Sequence, residues 1–180
     1  MKLNRKGYML VEIVLASVLA MSIAYYLLNL TYKFKNTYED AQQSYYYMTD
    51  KILITKNIMA DLEKGTIKGP IVEYSTGGRE YIIFGFDNID DGLSTIEERM
   101  LEIDGNKIRY GKVEKDASNN YVFVDEDLSY YENELEKALL IEPLQYDVSN
   151  GTLNIRIPVT AIYSDDSYDI ILFSPFYESV

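Results

Sequence analysis

Hydrophobic and polar positions follow two different periods along this chain, and the change of period divides it near residue 65. No Gly or Pro occurs from Tyr8 to Lys64, and Gly65 and Gly69-Pro70 then come close together. A long stretch without helix-breaking residues, ended by a cluster of them, predicts one continuous helix over Tyr8–Lys64. Past Pro70, short apolar segments separated by turn residues predict β-strands.

The first part of the predicted helix is apolar on all sides. Residues 8–30 carry a single charge, that of Glu12. At about 1.5 Å per residue this segment is roughly 30 Å long, which is enough to cross a bilayer. Lys2, Arg5 and Lys6 precede it, and such a basic start favours a cytoplasmic N-terminus with the remainder of the chain outside.

Beyond the apolar segment the helix is predicted to continue as an amphipathic one. Apolar residues recur at spacings of three and four, which is typical of a helix with one buried face. The predicted core stripe contains Phe34, Tyr38, Ala41, Tyr45, Met48, Ile52, Thr55, Met59 and Leu62, broadened by Tyr47, Ile54 and Ile58. The predicted polar face carries Glu39, Asp40, Gln43, Asp50 and Asn57.

The C-terminal part predicts a mainly antiparallel sheet, and the fold class is therefore α+β, one long helix packed on a β-rich head. Strands are predicted at 71–74, 80–86, 99–103, 107–113, 121–124, 144–148, 153–163 and 168–173. Asn150-Gly151 predicts a hairpin between the strands at 144–148 and 153–163. A second helix is predicted over Ser129–Leu140, and Pro158 predicts an edge position or a bulge in its strand. The predicted divisions are residues 1–7, 8–30, 31–64 and 65–180.

Composition excludes several classes of function. The 180 residues include no Cys and no His, which excludes disulfides, thiolate nucleophiles, His-containing zinc sites and Ser-His-Asp triads. The net charge of −12 repels nucleic-acid phosphates, so no direct nucleic-acid binding is expected. No paired-carboxylate pocket, phosphate-binding loop or nucleophile motif is evident, so we expect neither an enzyme nor a cofactor.

Two acidic turns contain carboxylates of the kind that ligate metal ions. Asp87, Asp91, Gly92 and Glu98 have calcium-loop spacing, but Ile89 occupies a ligand position and breaks the pattern. Asp165-Asp166 is interpreted as the tip of a hairpin. Both turns are expected to be solvated acidic loops, and no metal site is predicted.

Glu12 is the residue that requires an explanation, because a carboxylate within an apolar span costs about 3 kcal/mol on insertion scales. The lysines lie outside the span, and Ser17 is not at helical spacing. A partner from another chain would remove the problem. Cleavage after Gly7 would create one, the new α-amino group on Tyr8 of a neighbouring subunit, and this pairing would favour one axial stagger between subunits.

These residues resemble a known family signature. Gly7 followed by Tyr8-Met9-Leu10-Val11-Glu12 and then Ile13-Val14-Leu15 is similar to the leader of type IV prepilins, with Gly before the cut and Glu fifth after it. Tyr8 stands where that family usually has Phe. The helix also lacks the bending Gly and Pro of major pilins, which favours a minor subunit. Residues 138–173 and Met59–Glu63 resemble the J-type minor pseudopilins and their relatives in pilus and DNA-uptake systems.

The resemblance implies a role for each matching residue. Gly7 is the residue before the cut, Tyr8 becomes the N-methylated terminus, and Glu12 is the assembly carboxylate. The implied partners are a prepilin peptidase, other pilin or pseudopilin subunits and the membrane. The implied location is the cytoplasmic or inner membrane, with one span and the head outside, followed by an extracytoplasmic filament of a type IV pilus, type II secretion or DNA-uptake machine.

Two other interpretations of the N-terminus remain open. An ordinary secretory signal peptide also has a basic start and an apolar stretch, and Val18-Leu19-Ala20 offers a small-residue cleavage site. The chain would then be an exported acidic binding domain. An uncleaved signal anchor is the third interpretation. Glu12 within the apolar region and the continuation of that region to Leu30 favour the prepilin interpretation.

Overall fold

A computed structural model of the chain describes residues 5–88, 96–125, 130–162 and 167–179. Helix α1 spans Arg5–Leu62 and is followed by eleven strands among these residues. Residues 1–44 and 45–180 form two separate compact units. The first unit is helical in its described part, and the second contains the last turns of α1 and all the strands. The predicted α+β class is confirmed.

Helix α1 ends close to where the sequence predicts. The amides of Glu63 and Lys64 still donate to the carbonyls of Met59 and Asp61, and β1 begins at Gly65. Gly65, Gly69 and Pro70, the residues that predict the end of the helix, all lie inside β1. Gly69 and Pro70 coincide with a break in the pairing register of β1, where a strand tolerates a residue without an N–H.

The strands form two sheets. Their bounds are β1 Gly65–Thr76, β2 Arg79–Asn88, β3 Ile96–Asp104, β4 Lys107–Lys115, β5 Tyr121–Phe123, β6 Tyr131–Glu134, β7 Leu139–Ile141, β8 Gln145–Ser149, β9 Thr152–Ala161, β10 Ser167–Ser174 and β11 Tyr177–Glu178. The first sheet has the order β11-β1-β2-β3-β4-β5, with β6 also paired to β4. The second has the order β10-β9-β7, with β8 also paired to β9. Among the described pairings only β11 with β1 is parallel.

Two hairpin turns follow directly from turn chemistry. Thr76 pairs with Arg79 across Gly77-Gly78, and Ser149 pairs with Thr152 across Asn150-Gly151. Both central residues of each turn have positive φ, which is the type I′ geometry that matches the twist of the flanking strands. The Asn150-Gly151 hairpin is one that the sequence predicts, and it is confirmed.

Pro158 does not lie at an edge of the described sheet, so the edge alternative of that prediction is wrong. Strand β9 has β10 on one side and β7 and β8 on the other. The pairing to β7 stops at Val159 and the pairing to β8 starts at Arg156, which leaves Pro158 beside the gap between them. Its carbonyl accepts from the amide of Glu142 in that gap, and the missing N–H interrupts neither ladder.

The helix predicted over Ser129–Leu140 is wrong in its described part. Residues 131–134 form β6 against β4, and residues 139–141 form β7 against β9. Leu135 and Leu139 are both buried in the core, and their spacing of four imitates a helical period. Strand pairing and burial here override the helix propensity of the local sequence.

One hydrophobic core holds the second unit together. It combines inward-facing residues of both sheets with Ile54, Ile58 and Leu62 of α1. Helix α1 also contacts one strand of each sheet, because Tyr47 stacks on Tyr168 of β10 and Asn57 forms a side-chain hydrogen bond with Tyr131 of β6. A smaller cluster of Ile83, Met100 and Val113 covers the opposite face of the first sheet.

The buried stripe of α1 differs from the predicted one by its rotation about the helix axis. Ile54 and Ile58, predicted only to broaden the stripe, are its centre, whereas Tyr45, Met48 and Ile52 are exposed. Two apolar stripes run along this part of the helix, and the sheets cover the stripe that contains Ile54 and Ile58. The other remains on the surface of the second unit.

Candidate assembly helix and charged clusters

The first unit presents an exposed apolar helix surface. Its large hydrophobic side chains from Tyr8 to Leu28 are exposed, and so are Tyr32, Phe34 and Tyr38. The hydroxyls of Ser17, Ser22 and Thr31 donate to carbonyls three or four residues earlier in the helix. Hydroxyls satisfied in this way do not need water, which suits a lipid environment. By length and composition α1 is able to span a membrane.

The residues of the predicted leader lie at the start of this helix. Gly7, Tyr8 and Glu12 are all within α1, and Tyr8 and Glu12 are one turn apart on the same helix face. Glu12 is exposed and forms no ion pair with any residue that the structure describes. Lys2 lies outside the described residues, and for Arg5 and Lys6 only the helical backbone is described. Among the side chains that the structure describes, none is a charged partner of Glu12.

A buried charged cluster lies where the other end of α1 meets the first sheet. Asp61, Arg99 and Tyr110 are 8%, 3% and 1% exposed. The Tyr110 hydroxyl donates to Asp61 Oδ2 at 2.8 Å, and Arg99 Nη1 lies 4.0 Å from the same oxygen. Arg99 Nη2 is 3.2 Å from Glu97 Oε2, and Lys112 Nζ is 3.1 Å from Glu97 Oε1. Two acids and two bases thus connect α1 to β3 and β4.

The sequence positions of this cluster explain its location. Asp61 follows Ile58 by three residues and Ile54 by seven, which places it on the buried stripe of α1. Arg99 shares a sheet face with Leu101 because side chains alternate along a strand, and Tyr110 pairs directly with Leu101. The cluster is not among the features predicted from the sequence. Two signals in the sequence point to it: Asp61 lies on the same helix face as Ile54 and Ile58, and Arg99 lies on the same strand face as the buried Leu101.

A second buried ion pair lies on the opposite face of the first sheet. Glu102 of β3 pairs with Arg109 of β4, and Arg109 Nη2 is 3.8 Å from Asp104 Oδ2. Burial raises the pKa of Glu102 above its ordinary value, although Arg109 and Arg79 act in the other direction. The charged form of Glu102 is therefore less favourable in the fold than in the unfolded chain.

The acidic turns give no metal site in the described part of the chain. Asp87 and Glu98 lie on β2 and β3, where Asp87 Oδ2 is 3.9 Å from Lys68 Nζ and Glu98 accepts from the Tyr121 hydroxyl. Ile89, Asp91, Gly92 and Asp165-Asp166 lie outside the described residues. No group of three acids able to hold a metal ion occurs among the described residues.

The three consecutive tyrosines of α1 point in different directions. Tyr47 stacks on Tyr168 with ring centroids 3.8 Å apart, whereas Tyr45 is exposed and meets Tyr46 edge to face at 6.0 Å. The three rings therefore form no common stacking platform for bases.

Comparison with known proteins assigns no family to this chain. No family model matches the chain, and no curated protein or solved structure matches it.

Proposed function

We propose that this chain is a type IV pilin-like protein, a minor pilin or pseudopilin that is cleaved after Gly7 and assembles into a filament through its N-terminal helix. The observation that carries the proposal is Glu12, an acid without a described charged partner in an exposed apolar helix, five residues after a glycine that ends a basic leader. An intramembrane carboxylate is a functional residue by default, because its burial in lipid is costly.

The mechanism uses a charge that only processing supplies. Cleavage between Gly7 and Tyr8 removes the basic leader and frees the α-amino group of Tyr8, which the peptidase then methylates. In a neighbouring subunit this cation pairs with Glu12 in surroundings of low dielectric constant, where the interaction is strong and favours one stagger. The apolar side chains of residues 8–30 exchange lipid for the same side chains of other subunits.

The location follows from the same segment. The helix holds the newly made chain in the cytoplasmic membrane, with the basic leader on the cytoplasmic side and residues 45–180 outside. The partners are a prepilin peptidase, other pilin or pseudopilin subunits and the membrane itself. The acidic head disfavours direct contact with nucleic acid.

The proposal is tested by Glu12→Ala in the native host, with Ser17→Ala as the matched control. Both residues are exposed on the same helix, and the Ser17 hydroxyl bonds only within it. We expect Glu12→Ala to be cleaved after Gly7 as efficiently as wild type but to disappear from sheared filament fractions, while Ser17→Ala assembles. Normal assembly of Glu12→Ala would eliminate the carboxylate's role.

A further inference from the structure

An exposed apolar stripe on α1 has the spacing of a coiled-coil seam. Its members follow one another at intervals of four and three residues, and all of them are exposed: Phe34, Tyr38, Ala41, Tyr45, Met48 and Ile52. The first three belong to the first unit and the last three to the second. Strict alternation of these two intervals is the pattern of a helix face that packs against another helix, with side chains of each inserted between those of the other.

The core of the second unit does not use this stripe. Tyr45 precedes Ile54 by nine residues, and at about 100° per residue it lies on the opposite side of the helix. Tyr45 is 67% exposed, whereas Ile54 is fully buried. The same spacing continues after Ile52 with Thr55 and Met59, which are partly buried. The stripe is therefore open as far as Ile52, and there it meets the head.

Lipid is a poor cover for these side chains. The apolar span ends at Leu30, and the next stretch, residues 31–44, carries the charges of Lys33, Lys35, Glu39 and Asp40. Charged side chains are costly within the hydrocarbon layer, so under the proposed function this stretch lies beyond it. Large apolar side chains that stay exposed in a group mark an interaction surface.

The residues beside the stripe suit a second copy of this chain. The heptad positions that flank its middle part are uncharged, namely Thr37, Gln42, Ser44 and Thr49. Charges at these positions select the partner in coiled coils, and here an identical helix meets no like charge. Towards the ends of the stripe, Lys35 Nζ lies 3.6 Å from Glu39 Oε1, and Lys51 Nζ lies 5.5 Å from the centroid of the Tyr47 ring.

We infer that α1 pairs with α1 of a second copy of this chain in a parallel coiled coil, through the stripe from Phe34 to Ile52. The inference deepens the proposed function and rests on its membrane insertion, but not on cleavage or on filament formation. A span common to both copies orients the two helices in parallel and brings equal residues to the same height. The two heads lie on the outer sides of the pair, because Ile54 and Tyr45 are on opposite sides of the helix.

The test is disulfide cross-linking of single-cysteine variants of the full-length protein in membranes of a bacterial host that has no other pilins. The chain has no cysteine, so each variant contains one thiol. Ala41→Cys and Met48→Cys lie on the stripe. Asn36→Cys is the matched control, because it is exposed on the opposite side of the same helix. A further variant adds Tyr45→Glu to Ala41→Cys and places like charges within the seam.

We expect mild oxidation to give about tenfold more covalent dimer from Ala41→Cys and Met48→Cys than from Asn36→Cys, because equal seam positions meet in a parallel pair. Tyr45→Glu should remove most of the Ala41→Cys dimer without a change in urea unfolding, since Tyr45 is exposed. Equal dimer yields from Ala41→Cys and Asn36→Cys would overturn the inference, and so would dimers that survive Tyr45→Glu.

Absence of dimers from every variant in this host would also overturn the inference and would leave the stripe to another subunit or to lipid. The intact mass and membrane fractionation of the same samples distinguish this failure from that of the proposed function. An anchored chain without dimers contradicts the pairing alone. A chain released by cleavage after Ala20 contradicts both.

Discussion

Two carboxylates of α1 have opposite surroundings. Asp61 is buried, and a tyrosine hydroxyl and an arginine of the same chain lie beside it. Glu12 is exposed in an apolar segment and has no ion pair among the described residues. Asp61 therefore has its charged and hydrogen-bonding partners within the chain, whereas under the proposed function Glu12 finds its charged partner in another subunit. This contrast is the residue-scale argument for an intermolecular role of Glu12.

Glu102 gives a residue-scale prediction about pH. Burial raises its pKa, so Glu102 favours the fold below its unfolded pKa, and this contribution is lost as the pH rises through the folded pKa. Glu102→Gln imitates the protonated form and leaves Arg109 beside Asp104. We expect the variant to be more stable than wild type at pH 7 and the difference to vanish below about pH 4.3.

Urea denaturation at several pH values measures this difference. Glu114→Gln, an exposed change on β4, is the control and should show no such trend. A Glu102→Gln variant that is less stable than wild type at pH 7 and equally stable in acid would mean that the pairing with Arg109 outweighs the effect of burial.

At the scale of elements, α1 has two apolar stripes with different surroundings in the second unit. Ile54 is 0% exposed and lies in the core, whereas Ile52, two residues away, is 56% exposed. The sequence predicted that this helix is amphipathic but not which stripe is buried, because both have apolar side chains at helical spacing. The choice depends on the shape of the sheets, which a single-helix pattern does not contain. Under the proposed function, the stripe that remains exposed is available for contact with another subunit.

Substitutions of Ile54 and Ile52 distinguish the contribution of α1 to the stability of the fold from its proposed contribution to assembly. We expect Ile54→Ala to destabilise the head by about 2–5 kcal/mol, because it leaves a cavity in the core. Ile52→Ala should change the stability by less than about 0.5 kcal/mol, since an exposed side chain loses little on truncation. Under the proposed function, Ile52→Ala should nevertheless reduce the amount of protein in sheared filaments.

Urea unfolding of the two purified variants and immunoblots of filament fractions provide the measurements. Equal losses of stability for both variants would contradict the burial pattern of α1. Wild-type filament levels for Ile52→Ala would remove the exposed stripe from the assembly surface but leave the role of Glu12 intact.

The last strand gives another prediction at this scale. The amide of the buried Ile67 donates to the carbonyl of Phe176, and the amide of Tyr177 donates to the carbonyl of Gly151 in the turn between β8 and β9. Truncation after Ser174 removes both bonds and leaves the Ile67 amide without its acceptor, at a cost of about 1–3 kcal/mol for that group alone. Truncation after Glu178 keeps β11 and serves as the control in thermal unfolding. Equal melting temperatures for the two truncations would show that β11 does not join the sheets.

At the scale of the whole molecule, one long helix followed by a β-rich region is predictable from the sequence, because both depend on patterns of neighbouring residues. An unbroken stretch without Gly or Pro predicted α1, and Asn150-Gly151 predicted its hairpin. Features that depend on contacts between residues distant in sequence are not predictable from these local patterns. For Pro158 the sequence predicts an edge or a bulge, and the edge alternative is wrong because the strands beside β9 are not seen in its local sequence. The helix predicted over residues 129–140 is wrong in its described part because residues 131–134 pair with β4 and residues 139–141 pair with β9.

The candidate functional residues also include some that the sequence predicts and others that only the fold brings together. Gly7, Tyr8 and Glu12 form a short linear pattern, which a sequence reveals by itself. The Asp61–Arg99–Tyr110 cluster draws on α1, β3 and β4, so only the fold brings it together. The central claim that this is a processed, membrane-inserted assembly subunit therefore rests on the linear pattern and on the exposed apolar helix that contains it.

The most direct measurement is the N-terminus of the mature protein purified from membranes of its native host, by intact mass and terminal peptide sequencing. A chain that begins at N-methylated Tyr8 is the predicted result, because only a prepilin peptidase produces that terminus and only that cut creates the cation for Glu12. A chain that begins at Met21, after Val18-Leu19-Ala20, would contradict the account and indicate an ordinary exported domain. An intact N-terminus at Met1 would contradict it as well and indicate a signal anchor.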